Sequence, residues 1–472
     1  MHGGSLVPVF VRIFLSRAIL LLSHRFQVEL AVSFRRRRNT FTQQQIIMKF
    51  PHASSMPALS HVSDSDDDNS SSYASNTSNA DSTSNTDNAS SNMHRSTTAL
   101  ELTEIAVADP QVETAIPPHT DHKKVLVTGG AGFIGSHVAQ FLLARGDDVV
   151  IIDEVNDYYD VHIKETNLAL LRASCPDQNR LQIYRGDICD ENLMERIFEE
   201  ERPAWVCHMA ARAGVRPSIQ DPFVYIHSNI TGTTRLMELS AKYKVQNFVF
   251  ASSSSVYGGS KSTFFSEDES VDNPVSPYAA TKKACELLAY TYHNLYNLNC
   301  TALRFFTVYG PRGRPDMAPF KFIDRVSRGV EIQQFGDGSS SRDYTYIDDI
   351  VDGVVRAVDR PHPYEVFNLG KGSGTSLKDF IDLVQTHTCR DAKIKVLPDQ
   401  PGDVQYTCAD VSKADKMLGY KSKVSFEEGI RRTVAWYNQA YAKHELDVCP
   451  ERQANGMGRA PSMVDLVAQQ SN

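Results

Sequence analysis

No Cys-x-x-Cys pair occurs in the 472-residue chain, and its 8 cysteines all lie at or after Cys175. That spacing argues against a zinc ribbon or a disulfide scaffold and leaves scattered buried thiols in a reducing compartment. Internal repeats are absent. Arg12, Arg17 and Arg25 interrupt the early apolar runs, so none approaches the roughly 18 residues of a membrane-spanning helix. Charge of one sign is lacking too. The balance of 49 Lys plus Arg against 57 Asp plus Glu, net -8, does not suggest a protein that works through nucleic acid. At this length a chain is expected to divide rather than build one core.

What is present divides the chain by charge. Residues 1–50 carry eight basic side chains and one acid, residues 51–122 one basic and eleven acids, and 123–472 an almost even mixture. The basic extension admits three readings: an organelle transit peptide, a Golgi membrane anchor, or an upstream extension of a protein that starts at Met48 or Met56. Without it, the expected location is the cytoplasm. The Ser/Asn/Asp-rich stretch 51–122 has too little apolar surface to offset its ordering entropy and is expected to be a disordered tail. From Lys123 short apolar strands alternate with amphipathic stretches, which predicts an α/β domain over 123–445 followed by a flexible tail, 446–472.

Lys123 to Gly135 reads KKVLVTGGAGFIG. A buried strand runs into a turn with Gly129, Gly132 and Gly135, then into a helix that stops at Gly146. Such a turn lets a pyrophosphate approach the free N-H groups of a helix N-terminus. A second strand ends in Asp153, 18 residues after Gly135, where a carboxylate accepts hydrogen bonds from an adenosine ribose and repels a 2'-phosphate. With no Lys or Arg from 154 to 163, NAD is expected rather than NADP. Asp187, ending a third strand, is placed to meet the adenine.

Ser276 and Pro277 read as the N-cap and first residue of a helix YAATKKACELLAYTYHNLY. Tyr278 and Lys282 then share one helical face. A phenol is a poor base near neutral pH, and a neighbouring ammonium together with a nicotinamide cation favours the phenolate. Upstream, NFVFASSSSVYG ends in a serine run that can bridge a substrate hydroxyl to that phenolate.

With VTGGAGFIGSHVA, ASSSSVYG, YAATKK, RFFTVYGPRGRPDM, RDYTYIDD and PGDVQYTCAD in this order, the chain resembles the extended short-chain dehydrogenase/reductases. It resembles most closely the nucleotide-sugar epimerases that act on UDP-glucuronate, over Lys123 to about Tyr441. The resemblance implies a Rossmann-type doubly wound parallel sheet of six or seven strands, mainly 123–311 and 333–365. A smaller discontinuous C-terminal lobe, mainly 312–332 and 366–428, would bind substrate. It also implies a resident NAD held by Gly129, Gly132, Phe133, Ile134, Gly135, Asp153, Asp187, Ile188, Ala210 and Lys282. Tyr278 would be the base, tuned by Lys282, with Ser253 in the bridge.

On the substrate side the resemblance implies that Arg342 binds the diphosphate and Asp403 the uridine ribose, and that Ser254 touches the sugar. Thr307 and Arg314, where neutral-hexose epimerases typically have Asn at the first, would hold a carboxylate. A UDP-glucose 4-epimerase and a C5 epimerase or decarboxylase acting on UDP-glucuronate are the rival enzymes, and a non-catalytic nucleotide-sugar-binding scaffold is the rival of another class. Relatives form homodimers by pairing the Tyr278 helix with the one containing ITGTTRLMELSAKYK. No metal is expected. Four positions depart from the pattern: Glu154 for Asn, Arg212 for Gln, Pro217 for Tyr and Arg312 for Trp.

Overall fold

The computed structural model describes residues 119–398 and 405–440. The basic extension, the acidic stretch as far as 118, the tail from 446 and Asp403 lie outside the described residues. The described chain already joins the domain at His119, four residues before the expected start. Its N-H donates to the Asp359 carbonyl at 2.7 Å, and its ring meets Trp205 edge-on.

In chain order the strands are β1 (Lys124–Thr128), β2 (Asp148–Asp153), β3 (Leu181–Arg185), β4 (Trp205–His208), β5 (Asn247–Ser253) and β6 (Cys300–Phe305). They continue with β7 (Thr307–Tyr309), β8 (Ile332–Phe335), β9 (Ser341–Tyr346), β10 (Tyr364–Leu369), β11 (Gly374–Ser376) and β12 (Ile394–Leu397). Seven of them form the main sheet in the order β10-β6-β5-β4-β1-β2-β3, and every pairing in it is parallel. This is the doubly wound α/β arrangement read from the sequence.

The apolar runs follow from burial on both faces. Val125, Val127, Val149 and Ile151 enter one core cluster, while Leu126, Val150 and Ile152 enter the other. Helix α1 (Phe133–Arg145) contributes to the first. Helices α2 (Gly232–Lys242) and α3 (Pro277–Tyr296) cover the second, and α4 (Ile347–Asp359) returns to the first.

The lobe boundaries need correction. β10 pairs with β6 from Tyr364↔Cys300 to Leu369↔Phe305, so the boundary drawn at 366 cuts a strand of the main sheet. Conversely β8 pairs with β12, which moves 333–335 into the lobe. A third sheet, β11-β9-β7, lies between these segments in the chain. Which sheet YEVFNL joins is decided by its partner strand.

Candidate functional site

Glycine is required at two positions of the turn after β1. Gly129 has φ +68°, and a Cβ there would meet the backbone nitrogen of Ala210 at 2.7 Å. A Cβ on Gly135 would stand 2.2 Å from the Gly129 carbonyl oxygen. The loop after β4 and the start of α1 can thus close on the turn only because neither residue has a side chain. Asp153 braces it from β2, accepting from Ala131 N at 3.0 Å and Val155 N at 2.8 Å. Burial pushes its carboxyl pKa up, against these hydrogen bonds. Beneath Ala210, His208 lies between the hydroxyls of Thr128 (2.7 Å) and Thr233 (2.8 Å). Burial, with the Lys282 charge, lowers its pKa to about 3, so the ring is neutral.

A cavity of about 400 Å³ opens over these strand ends. Gly129, Gly132, Phe133, Ile134, Gly135, Asp153, Asp187, Ile188 and Ala210 line it, as do Ser253, Ser254, Tyr278, Lys282, Thr307 and Arg314. Fifteen residues singled out from sequence therefore share one enclosure. Arg342 is not among its lining; its Nη1 donates to the Ser341 carbonyl at 3.0 Å on β9. Asp187 lines the cavity but is engaged, its Oδ2 2.7 Å from Nε2 of His227. Nothing in the local sequence around Asp187 marked that partner, which lies 40 residues on.

At the other end of the cavity, α3 starts as its Ser-Pro pair predicts. Ser276 Oγ accepts from Ala279 N at 3.1 Å, and Pro277 occupies the first turn. Tyr278 and Lys282 both face inward and are buried. Burial raises the pKa of the Tyr278 phenol, while the neighbouring Ser253 hydroxyl and the Arg314 charge lower it. Lys282 Nζ donates to the Ala251 carbonyl of β5 at 2.8 Å, burial lowers its own pKa, and Arg314 is the cation that bears on the phenol.

Arg314 is itself held. Its Nε and Nη2 meet the two oxygens of Asp316 at 3.0 and 2.6 Å, and its guanidinium sits 5.3 Å from the Tyr158 ring centre. Burial would lower its pKa, and the Asp316 hydrogen bonds and charge raise it.

Behind the serine run lies a buried polar network that sequence reading missed. Glu286, two turns beyond Tyr278 on α3, accepts from Arg304 Nε and Nη2, each at 2.9 Å, and from Ser252 Oγ at 2.7 Å. Arg304 Nη1 donates to the Tyr257 hydroxyl at 3.0 Å, and that hydroxyl donates to Asn368 Oδ1 at 2.7 Å. The chain β6–α3–β5 is thus hydrogen-bonded from inside, fixing the strand end that carries Ser253.

A family model described as GDP-mannose 4,6 dehydratase matches residues 126–433. The chain belongs to the nucleotide-sugar-modifying branch of the extended short-chain dehydrogenase/reductases. Within that branch it is similar to the UDP-glucuronate 4-epimerase of Thermodesulfobacterium geofontis, 46% identical over 66% of this chain and 95% of that one. It is also similar to UDP-glucuronate 4-epimerase 4 of Arabidopsis thaliana, 42% identical over 67% of this chain and 76% of the other. Among solved structures it resembles the UDP-glucuronic acid 4-epimerase of Bacillus cereus in complex with UDP-glucuronic acid and NAD. That match has 37% identity and a TM-score of 0.62 over 67% of this chain and 99% of the other.

Against that family pattern, Arg312 has a local explanation. With φ +61° it turns inward, donating from Nη2 to Gln140 Oε1 at 2.9 Å and from Nε to His137 Nε2 at 3.2 Å. His137 is kept neutral by burial and by that cation, which lets Nε2 accept while Nδ1-H donates to the Phe133 carbonyl at 2.9 Å. Arg312 therefore braces α1 from behind.

Proposed function

We propose that this chain interconverts UDP-glucuronate and UDP-galacturonate through a 4-keto sugar, with NAD regenerated in each turnover. The observation that carries the reading is the joining, in one cavity, of a dinucleotide cradle to a Ser253–Tyr278 pair and a guanidinium at the sugar end. The glycine turn and Asp153 fit a dinucleotide: the turn has no room for side chains, and the carboxylate stands where a ribose diol would lie. Bound there, NAD+ would supply reversible oxidation at the sugar C4. Ser253 and Tyr278 would take the proton of the 4-hydroxyl and return it, with Arg314 offsetting the desolvation of the phenolate. Lys282, fixed on β5, would present its remaining N-H groups to the nicotinamide ribose.

The position two before Tyr257, which carries an assisting Glu in related dehydratases and decarboxylases, is Ser255. That supports retention of the carbon skeleton. A 4-keto uronate is a β-keto acid and loses carbon dioxide when its carboxyl bond aligns with the carbonyl. Thr307 and Arg314 would hold the carboxylate out of that alignment, a role suited to a planar fork of donors.

A neutral UDP-hexose is the second reading, and one observation favours it: Asp316 already occupies the Nε/Nη2 edge of Arg314. The test is to incubate the purified full chain with UDP-glucuronate and, separately, UDP-glucose without added NAD, and to identify products by anion-exchange chromatography. UDP-galacturonate from the first alone is expected; turnover of UDP-glucose alone would overturn the uronate reading.

The exposed apolar side chains support a homodimer. Ile219 and Phe223 on the segment before α2, and Leu287, Tyr290 and Leu295 on α3, all face solvent. The α2 side chains Leu236, Met237 and Leu239 are buried, so the pairing surface would use the turns preceding α2 rather than α2 itself. Seven cysteines are unpaired among the described residues, which fits a reducing, cytoplasmic setting. No helix among the described residues is long and apolar enough to cross a membrane.

A further inference from the structure

Two of the four departures from the family pattern meet each other. Arg212 Nη2 lies 3.5 Å from Glu154 Oε1, and both residues line the cavity. Their positions in the sheet give the contact its meaning. β1 lies between β4 and β2; Glu154 is the first residue after β2, and Arg212 comes four residues after β4 ends. The pair therefore spans the carboxyl end of β1, the side of a doubly wound sheet on which dinucleotides bind.

Further contacts join the same two loops. The Tyr158 hydroxyl donates to the Ala213 carbonyl at 2.7 Å, and the Arg212 guanidinium sits 5.5 Å from the Tyr158 ring centre. Each loop is also anchored from behind. Lys164 Nζ donates to the backbone and side-chain oxygens of Asn156 at 2.6 and 2.7 Å. Asn229 grips the Arg212 backbone through both its amide groups, at 2.9 and 3.0 Å. The Nε of Arg212 is buried with no partner, a donor that the strap leaves unused.

We propose that Glu154 and Arg212 are cofactor-retaining residues, an ion-paired strap across the dinucleotide crevice that slows NAD exchange. The inference rests on the dinucleotide reading above and is independent of which sugar is turned over. A cofactor oxidised and reduced within each turnover has no need to leave, so a closed crevice costs the reaction nothing. Because the pair is partly solvated, at 19% and 38% side-chain exposure, its effect is moderate and sensitive to salt.

The test loads the full chain with NADH, follows its fluorescence during a chase with excess NAD+, and records the bound-NADH stoichiometry. Arg212→Gln is expected to speed release by about 3- to 10-fold, the loss of one partly exposed ion pair and one cation–π contact, and Glu154→Gln, which loses the ion pair alone, by about 2- to 5-fold. The double variant should release no faster than the quicker single one, and the charge-swapped pair Arg212→Glu with Glu154→Arg should recover slow release. About 0.5 M salt should accelerate release from the wild type but not from the single variants. Unchanged release in both single variants would overturn the strap alone, as would a silent Glu154→Gln beside a fast Arg212→Gln, which would mean that Arg212 touches the ligand directly. A wild-type protein that bound no NADH would overturn the dinucleotide reading and the strap with it.

Discussion

Replacing Arg304 by Met isolates the contribution of the buried network behind Ser253. Arg304 and Glu286 are 3% and 1% exposed and meet through two hydrogen bonds of 2.9 Å. Burial alone would lower the arginine pKa, yet the hydrogen bonds and charge of Glu286 raise it. Arg304→Met removes that cation and leaves the Glu286 carboxylate with the Ser252 hydroxyl at 2.7 Å and Lys283 at 3.7 Å. Stranding one partner of such a pair costs about 3–5 kcal/mol. Removing both with Glu286→Leu leaves no charge behind, and the double variant should lie within about 1 kcal/mol of wild type. Urea denaturation of wild type, both single variants and the double variant, with slopes compared, completes the cycle. The coupling should exceed about 2 kcal/mol. A loss below about 1 kcal/mol in Arg304→Met, or a double variant as damaged as the sum of the singles, would refute the reasoning.

Three further expectations follow from the same geometry. Gly135→Ala places a methyl 2.2 Å from the Gly129 carbonyl; pushing the turn open at about 1–3 kcal/mol should weaken NADH binding about 5- to 150-fold in a fluorescence titration, and unchanged binding would count against the cradle. Arg314→Ala should raise KM for UDP-glucuronate and release some UDP-pentose and carbon dioxide; normal epimerisation without pentose would remove its anchoring role. His208, with its pKa lowered from 6.5 to about 3, is neutral when folded and takes a proton on unfolding in acid. Its contribution is therefore whole above pH 6.5 and is lost as pH falls towards 3, at about 1.4 kcal/mol per pH unit. Urea denaturation between pH 7 and 5 should give a wild-type stability that falls with pH more steeply than that of His208→Gln, by about 1 kcal/mol per pH unit; equal slopes would refute the neutral ring.

What the sequence made legible was local. The glycine turn, the strand-terminal Asp153 and the Ser276–Pro277 helix start are each written within a few residues, because turn geometry, strand ends and caps are decided by neighbours in the chain. The Arg304–Glu286, Asp187–His227 and Glu154–Arg212 pairs join different elements, and no periodicity reports them. The i and i+4 spacing placed Tyr278 and Lys282 on one buried face, but not the direction of the lysine, which turns to a β5 carbonyl. The place of 364–369 beside β6 depends on pairing. Arg342 was placed by motif alone, and it lies outside the cavity lining.

The smaller sheets bear on how such a protein can change. Their strands come from three stretches of chain, with β7 following β6, β8 and β9 lying between it and α4, and β11 and β12 following β10. Helix α4 and the main-sheet strand β10 intervene between β9 and β11, so this lobe is not one contiguous segment that could be excised, duplicated or exchanged between relatives as a module. Any change in what this lobe contacts would have to come from substitutions scattered along the chain, each compatible with the strands on either side of it. The lobe is therefore inherited with the fold and altered residue by residue.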